Sequence, residues 1–234
     1  LELEAPAQQI LLEGGQARGV RYKRNGRDME VRGEAVALGA NALFNPYLLQ
    51  QSGFKHPLLG QHLTEQASIT ITADLDGVDN FQGSTSITGH GYLHYDGVHR
   101  RKRAAALIET MNIPTLRHEK GRWRQRIQLK FIFENLLETG NRVESGNLDR
   151  PVTTWTGDSG YAKKSIGMVR ELAESFLKPL PVERIQVPGS LNQTESHILC
   201  TTLMGRNPED SIVDADLVHH QVRNLLVLGG SVFP

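Results

Sequence analysis

"IQLKFIFEN", Ile127–Asn135, puts Ile127, Leu129, Phe131 and Phe133 on one side of an extended chain and Gln128, Lys130 and Glu134 on the other. A period of two is the signature of a strand with one covered face, the pattern of an antiparallel sheet. "SITITADL" (68–75) has the same texture, with Ile69 and Ile71 on its apolar side. Between the two lies a Gly-, His- and Tyr-bearing stretch, "GSTSITGHGYLHYDG" (83–97). Downstream, "NRVESGNLDRPVTTW" (141–155) reads as short strands around turns, with Asp149-Arg150-Pro151 as one turn. "DSGYAKKSIGMVRELAESFLKPL" (158–180) then predicts one helix over 161–178. Ala162, Ile166, Val169, Ala173 and Phe176 recur at steps of three and four, Asp158 or Ser159 caps the start, and Pro179 ends it.

The two ends of the chain differ from this middle. "ARGVRYKRNGRDMEVRG" (17–33) alternates on both sides of Asn25-Gly26, a strong short-range hairpin signal because both residues accept positive φ. "EAVALGA" (34–40) and Leu225–Leu228 are short, nearly unbroken apolar runs, as expected of strands buried on both faces. Each runs into small residues, Gly39-Ala40 and Gly229-Gly230. In "ALFNPYLLQQSG" (42–53), Pro46 after Asn45 is expected in the first turn of a helix and Gly53 at its stop. The pattern predicts an α+β chain in which an antiparallel-sheet domain with flanking helices (73–190) is inserted between two segments of another domain (1–72 and 191–234).

Composition narrows the function classes. Of 234 residues, 38% are hydrophobic and 22% charged, the balance of an ordinary globular chain. Lys+Arg equals Asp+Glu at 26 each, so no net field draws the chain to nucleic acid or an anionic membrane. The dense basic run "RRKR" (100–103) is expected to be a solvated turn or edge strand. No apolar run reaches the ~18 residues that span a bilayer. Cys200, the single cysteine, excludes an internal disulfide and fits a buried, inert thiol better than a nucleophile. His90 and His94 are four apart, a metal spacing on a helix, but Gly89 and Gly91 argue against a helix, and no metal is expected. His219-His220 are expected at the surface.

The candidate for chemistry is His197 in "ESHILCTTLMG" (195–205). A lone histidine is more often structural. Here it precedes small residues, Thr201, Thr202 and Gly205, and the flexible Met204, a stretch that can lie flat against a large ring. "HILCTTLMG" resembles the C-terminal signature of the glucose–methanol–choline (GMC) flavoprotein oxidoreductases, His-x-x-Gly-Thr-x-x-Met-Gly. Asp214, Asn224, Leu225, Val227, Ser231 and Pro234 follow in that family's order. "EAVALGANALFNPYLLQQSG", "LGQHLTEQ" and "NRVESGNLDRPVTTWTGDSGYAKKSI" are similar to its mid-chain and substrate-domain segments. Cys200 departs from the family's glycine, Gly229 from a frequent aspartate, and Gln66 from a frequent histidine.

The resemblance implies an FAD-dependent dehydrogenase that oxidises an alcohol or sugar hydroxyl, and an electron-acceptor subunit is one partner it allows for. His197 would take the hydroxyl proton. Ala40, Asn41, Gly229, Gly230 and Ser231 would lie beside the flavin, and the terminal segments would be parts of an α/β FAD-binding domain. No G-x-G-x-x-G follows a strand, and the chain opens at Leu1, so a fragment of a longer enzyme is expected. Such a piece would bind FAD weakly, and its strands at 34–38 and 225–228 would lack partners and promote self-association. The rival is a degenerate homologue that only binds or assembles.

Overall fold

The structure, a computed structural model, describes residues 1–83, 87–146 and 150–234. In chain order these form β1 (Ala7–Glu13), β2 (Gln16–Arg24), β3 (Arg27–Arg32), β4 (Val36–Leu38), α1 (Asn41–Gln51), β5 (Ala67–Leu75), β6 (Ile87–Gly91) and β7 (Ala106–Met111). There follow β8 (Arg126–Phe133), β9 (Arg142–Glu144), β10 (Val152–Thr154), α2 (Gly160–Gly167), α3 (Val169–Leu177), β11 (Val182–Gln186) and β12 (Leu225–Val227). Part of the Gly/His/Tyr stretch (84–86) and the expected turn at Asp149 lie outside the described residues. Among the described residues no helix is long and apolar enough to cross a membrane. The chain divides into two compact units, one of Leu1–Thr64, Leu137–Gly157 and His197–Pro234, the other of Glu65–Leu136 and Asp158–Ser196. Residues 65–72, 137–157 and 191–196 thus fall on the other side of the division from that suggested by sequence texture.

The second unit is a five-stranded antiparallel sheet in the order β11-β5-β8-β7-β6. The two strands legible from their alternation, β5 and β8, are neighbours, with Ile69 opposite Phe131 and Ile71 opposite Leu129. Those four side chains and Phe133 are buried in one core with Ile108, Val169, Leu172, Ala173 and Leu177. Burial of each large one is worth about 1.5–3 kcal/mol. The expected single helix is two. Ser159 caps α2 by accepting from the Ala162 N–H at 3.1 Å, and the helix stops at Gly167. Glycine is a poor helix interior residue. The Ser165 hydroxyl bonds back to the Tyr161 carbonyl and accepts from the Ala104 N–H, a pattern that bends helices. The break changes the phase of the buried stripe. Val169 and Ala173 are inside as expected, Leu172 and Leu177 join them, and Ile166 and Phe176 are only partly buried.

In the first unit β1, β2 and β3 form an antiparallel sheet. Asn25 and Gly26, at φ 50° and 75°, close the expected hairpin, in which Val20 faces Val31 and Tyr22 faces Met29. β4 and β12 pair with each other in parallel, Leu225 opposite Val36 and Val227 opposite Leu38. The expectation of partnerless strands is corrected by this pairing. The far side of β12 is also engaged, since Val218 bridges Leu226 and Val227 donates to the Leu217 carbonyl at 3.0 Å. Asn224 fastens the pair, accepting from the Ala17 N–H and donating to the carbonyls of Ala17 and Glu34 at 2.8 and 2.7 Å.

His219 corrects the surface expectation for the His219-His220 pair. It is 6% exposed, packs edge-on against Phe54, and its Nδ1 accepts from the N–H groups of Gln221 and Val222. Burial, with the nearby His220, His56 and Arg223, lowers its pKa from 6.5 to about 4. The unfolded chain therefore binds a proton that the folded one refuses between pH 6.5 and about 4. The contribution is complete above pH 6.5 and disappears as pH falls towards 4. At about 1.4 kcal/mol per pH unit the loss is on the order of 3 kcal/mol. Urea midpoints at pH 7 and pH 4.5 are expected to differ more in the wild type than in His219→Asn, whose amide oxygen can accept the same bonds without titrating. Equal pH slopes in the two proteins would remove His219 from this account.

Candidate functional site

The two glycine-bearing stretches at the C-terminal end are adjacent in space. Cys200 donates to the Gly230 carbonyl at 3.0 Å, Thr202 to that of Ser231 at 2.8 Å, and Met204 to that of Val232 at 2.8 Å. Leu199 bridges Thr64 on the other side. His197 is exposed and leads into this ladder. Gly230 is required by proximity to the histidine turn. A Cβ there would meet the Ile198 carbonyl oxygen at 2.6 Å, well inside van der Waals contact. Gly229 is different, since a Cβ would meet nothing within 4 Å, but its φ of 91° is one that side-chain-bearing residues rarely adopt.

Cys200 and Thr201 are both left-handed, at φ 66° and 78°. Positive φ explains why glycine suits position 200 in the family pattern. A non-glycine residue held there costs of order 1–3 kcal/mol, and a β-branched one such as Thr201 is a genuine outlier. The strain is retained because the surrounding backbone bonds determine it: Gly60 donates to the Thr201 carbonyl at 2.8 Å, and residues 200 and 202 are tied to 230 and 231. The Cys200 thiol is 2% exposed, and burial pushes its pKa up to about 12. It is therefore not a nucleophile near neutral pH.

α1 begins earlier than the sequence suggests. Pro46 is its sixth residue rather than lying in its first turn. Asn41 caps the helix: at φ 64°, its Oδ1 accepts from Leu43 and Phe44 at 2.8 and 3.2 Å. Pro46 has no N–H for the Ala42 carbonyl four residues before it. The Thr201 hydroxyl donates to that carbonyl instead, at 2.9 Å. Asn45, fully buried, accepts from the Ala40 N–H at 2.8 Å and donates to the Leu228 carbonyl at 3.0 Å and the Ser231 hydroxyl at 2.8 Å. One amide thus joins the β4–α1 junction to the end of β12.

Against known proteins, residues 138–234 match the profile of the GMC oxidoreductase family. That region is similar to the C-terminal part of GMC oxidoreductases. Segments of 88 and 97 residues are 34% and 31% identical to C-glycoside 3-oxidases of Arthrobacter globiformis and Microbacterium trichothecenolyticum, covering 37% and 41% of this chain. They span only 17% and 19% of those relatives. Pyridoxine 4-oxidase from Mesorbium loti superposes on 97% of the chain with a TM-score of 0.67 at 20% identity, and the match covers 52% of that protein. A formate oxidase variant of Aspergillus oryzae RIB40, studied for FAD modification, superposes on 99% with a TM-score of 0.66 at 14% identity, over 56% of its length. The chain therefore spans about half the length of these solved structures, and at such identities they show the fold alone.

Within the GMC region and its unit, the fold brings together the segments bearing His197, Ala40, Asn41, Gly229, Gly230 and Ser231. FAD is the group that this family implies, and the residues fit one side of it. Thr202 is fully buried with a hydroxyl that has no partner among the described residues, and the backbone at Gly229 is open to close approach. The Asn41 side chain already occupies the first N–H groups of α1, and the Ser231 hydroxyl is turned inward to Asn45. The sequence marked Thr201 only as a small residue of the turn and Asn45 only as the residue before a helix start, and neither one's bonding was legible. Asn-Pro reads as a helix start, and the donor that replaces the missing proline N–H lies 159 residues away.

The face of the second unit's sheet opposite its core is polar. Thr70, Lys130, Glu109 and His90 form a cross-strand row. Lys130 pairs with Glu195 at 2.9 Å, and Ser68 also donates to Glu195. Burial alone would push the Glu195 carboxyl up, but the bonds from Ser68 and Lys130 outweigh it and hold it below the usual carboxylate range. His94 is buried, with its ring against the Leu172 carbonyl and Arg103, so it serves the packing of this unit.

Proposed function

We propose that the chain is part of an FAD-dependent GMC oxidoreductase that oxidises a hydroxyl of an alcohol or sugar, with a glycoside as the preferred substrate class. The observation that carries this is the laying of the His197 turn against Gly229–Ser231, with Ala40 fastened to the same point by Asn45. The two relatives named for oxidation of C-glycosides support a sugar hydroxyl. FAD, when bound, supplies the acceptor for the hydride leaving the carbon. His197 takes the hydroxyl proton, so the alcohol leaves as a carbonyl compound. In this reading the second unit is the substrate domain, and the first belongs to the FAD-binding domain in which it is inserted.

Cys200 does not argue for the degenerate alternative, because it adopts the left-handed conformation for which glycine is suited. The test is the protein expressed from its whole gene. It is expected to purify with a flavin absorption spectrum that bleaches on anaerobic addition of a glycoside. Oxygen uptake on readmitting air would mark an oxidase, and turnover only with a dye or quinone a dehydrogenase. A colourless protein that takes up no FAD would leave the binding-module reading standing.

A further inference from the structure

We propose that Thr201 is a positioning residue, whose hydroxyl holds the left-handed turn after His197 against the helix carbonyl that Pro46 leaves without an intrahelical donor. Three observations meet at this point. Pro46 lies inside α1, so the Ala42 carbonyl has lost its usual partner. The Thr201 hydroxyl reaches that carbonyl at 2.9 Å, and both residues are fully buried. To get there the backbone takes two successive positive φ values, at Cys200 and Thr201. A turn of that kind persists only where its surroundings fix it. On its backbone side it is fixed by Gly60, Gly230 and Ser231. The hydroxyl is the side-chain tie that joins it to α1, the helix that follows Ala40. Proline and threonine therefore act as a pair, one vacating an acceptor and the other using the vacancy to hold the residues that follow His197.

The anchoring stands on geometry alone, whereas its catalytic consequence rests on the function proposed above. The test uses the full-length protein and Thr201→Val, which keeps the shape and removes the hydroxyl, beside Thr201→Ser, which keeps the hydroxyl. Amide hydrogen exchange at Cys200 and Thr202 is expected to rise about tenfold in Thr201→Val, the factor matching about 1.4 kcal/mol for one lost bond. It is expected to stay at the wild-type rate in Thr201→Ser. Unchanged exchange in Thr201→Val, or equal rises in both variants, would overturn the proposal. Adding Pro46→Ala returns an N–H to the Ala42 carbonyl and separates two roles. In Pro46→Ala/Thr201→Val the melting temperature is expected to recover while fast exchange at 200 and 202 persists, with kcat lowered, KM unchanged and flavin retained. Recovery of the turn's protection in that double variant would show that the hydroxyl serves only the helix, and would also overturn the proposal. A wild type without turnover would defeat the functional reading, and the exchange rates would still decide this one.

Discussion

Replacing His197 by alanine in the full-length protein is expected to lower turnover by roughly 10²–10⁴-fold, the range for loss of a general base, with flavin still bound. The side chain is exposed, and the residues that shape its turn are held by backbone bonds from Thr64, Gly230 and Ser231, none of which needs the imidazole. The effect should therefore fall on the chemical step and leave the melting temperature close to that of the wild type. A stopped-flow measurement of flavin reduction reads that step directly. Near-normal reduction in His197→Ala would remove the residue from the reaction and return it to a structural role.

Replacing Asn45 by leucine is expected to have the opposite profile, a large loss of stability. Asn45, itself fully buried, serves three groups in one place: the part-buried Ala40 N–H and Leu228 carbonyl and the buried Ser231 hydroxyl. Each orphaned group costs about 1–3 kcal/mol, so the loss should reach on the order of 4 kcal/mol after partial relaxation. Asn45→Asp keeps the acceptor for Ala40 but sets a carboxylate against the Leu228 carbonyl, and is expected to rescue little. Urea unfolding checks both variants. A change under about 1 kcal/mol in Asn45→Leu, the cost of an ordinary substitution, would mean that the three groups find other partners.

The sequence showed most clearly those features whose cause lies within a few residues. β5 and β8 declare themselves because one face of each is covered and the other is not, and Asn25-Gly26 because its neighbours force positive φ. The His197 segment and Gly229–Ser231 were legible as motifs, and the fold sets them side by side. Features caused from far along the chain were hidden. The place of Pro46 inside α1 is tolerable because of Thr201, and the burial of His219 follows from Phe54 and the bonds of its own turn. The break at Gly167 has a local cause, but apolar steps of three and four continue on both sides of it and mask it.

The parallel pairing of β4 with β12 has a consequence in time. Glu34 and Asn224, which close this pair, are 190 residues apart. At about 5–20 residues per second, a ribosome needs roughly 10–40 s to travel that distance. During that interval β4 is already made and β12 does not yet exist, while β5, β7 and β8 can pair over shorter spans. The second unit is thus expected to settle first, with the first unit waiting for its last strand. Pulse-chase proteolysis of nascent chains should find residues 65–136 protected before residues 34–51.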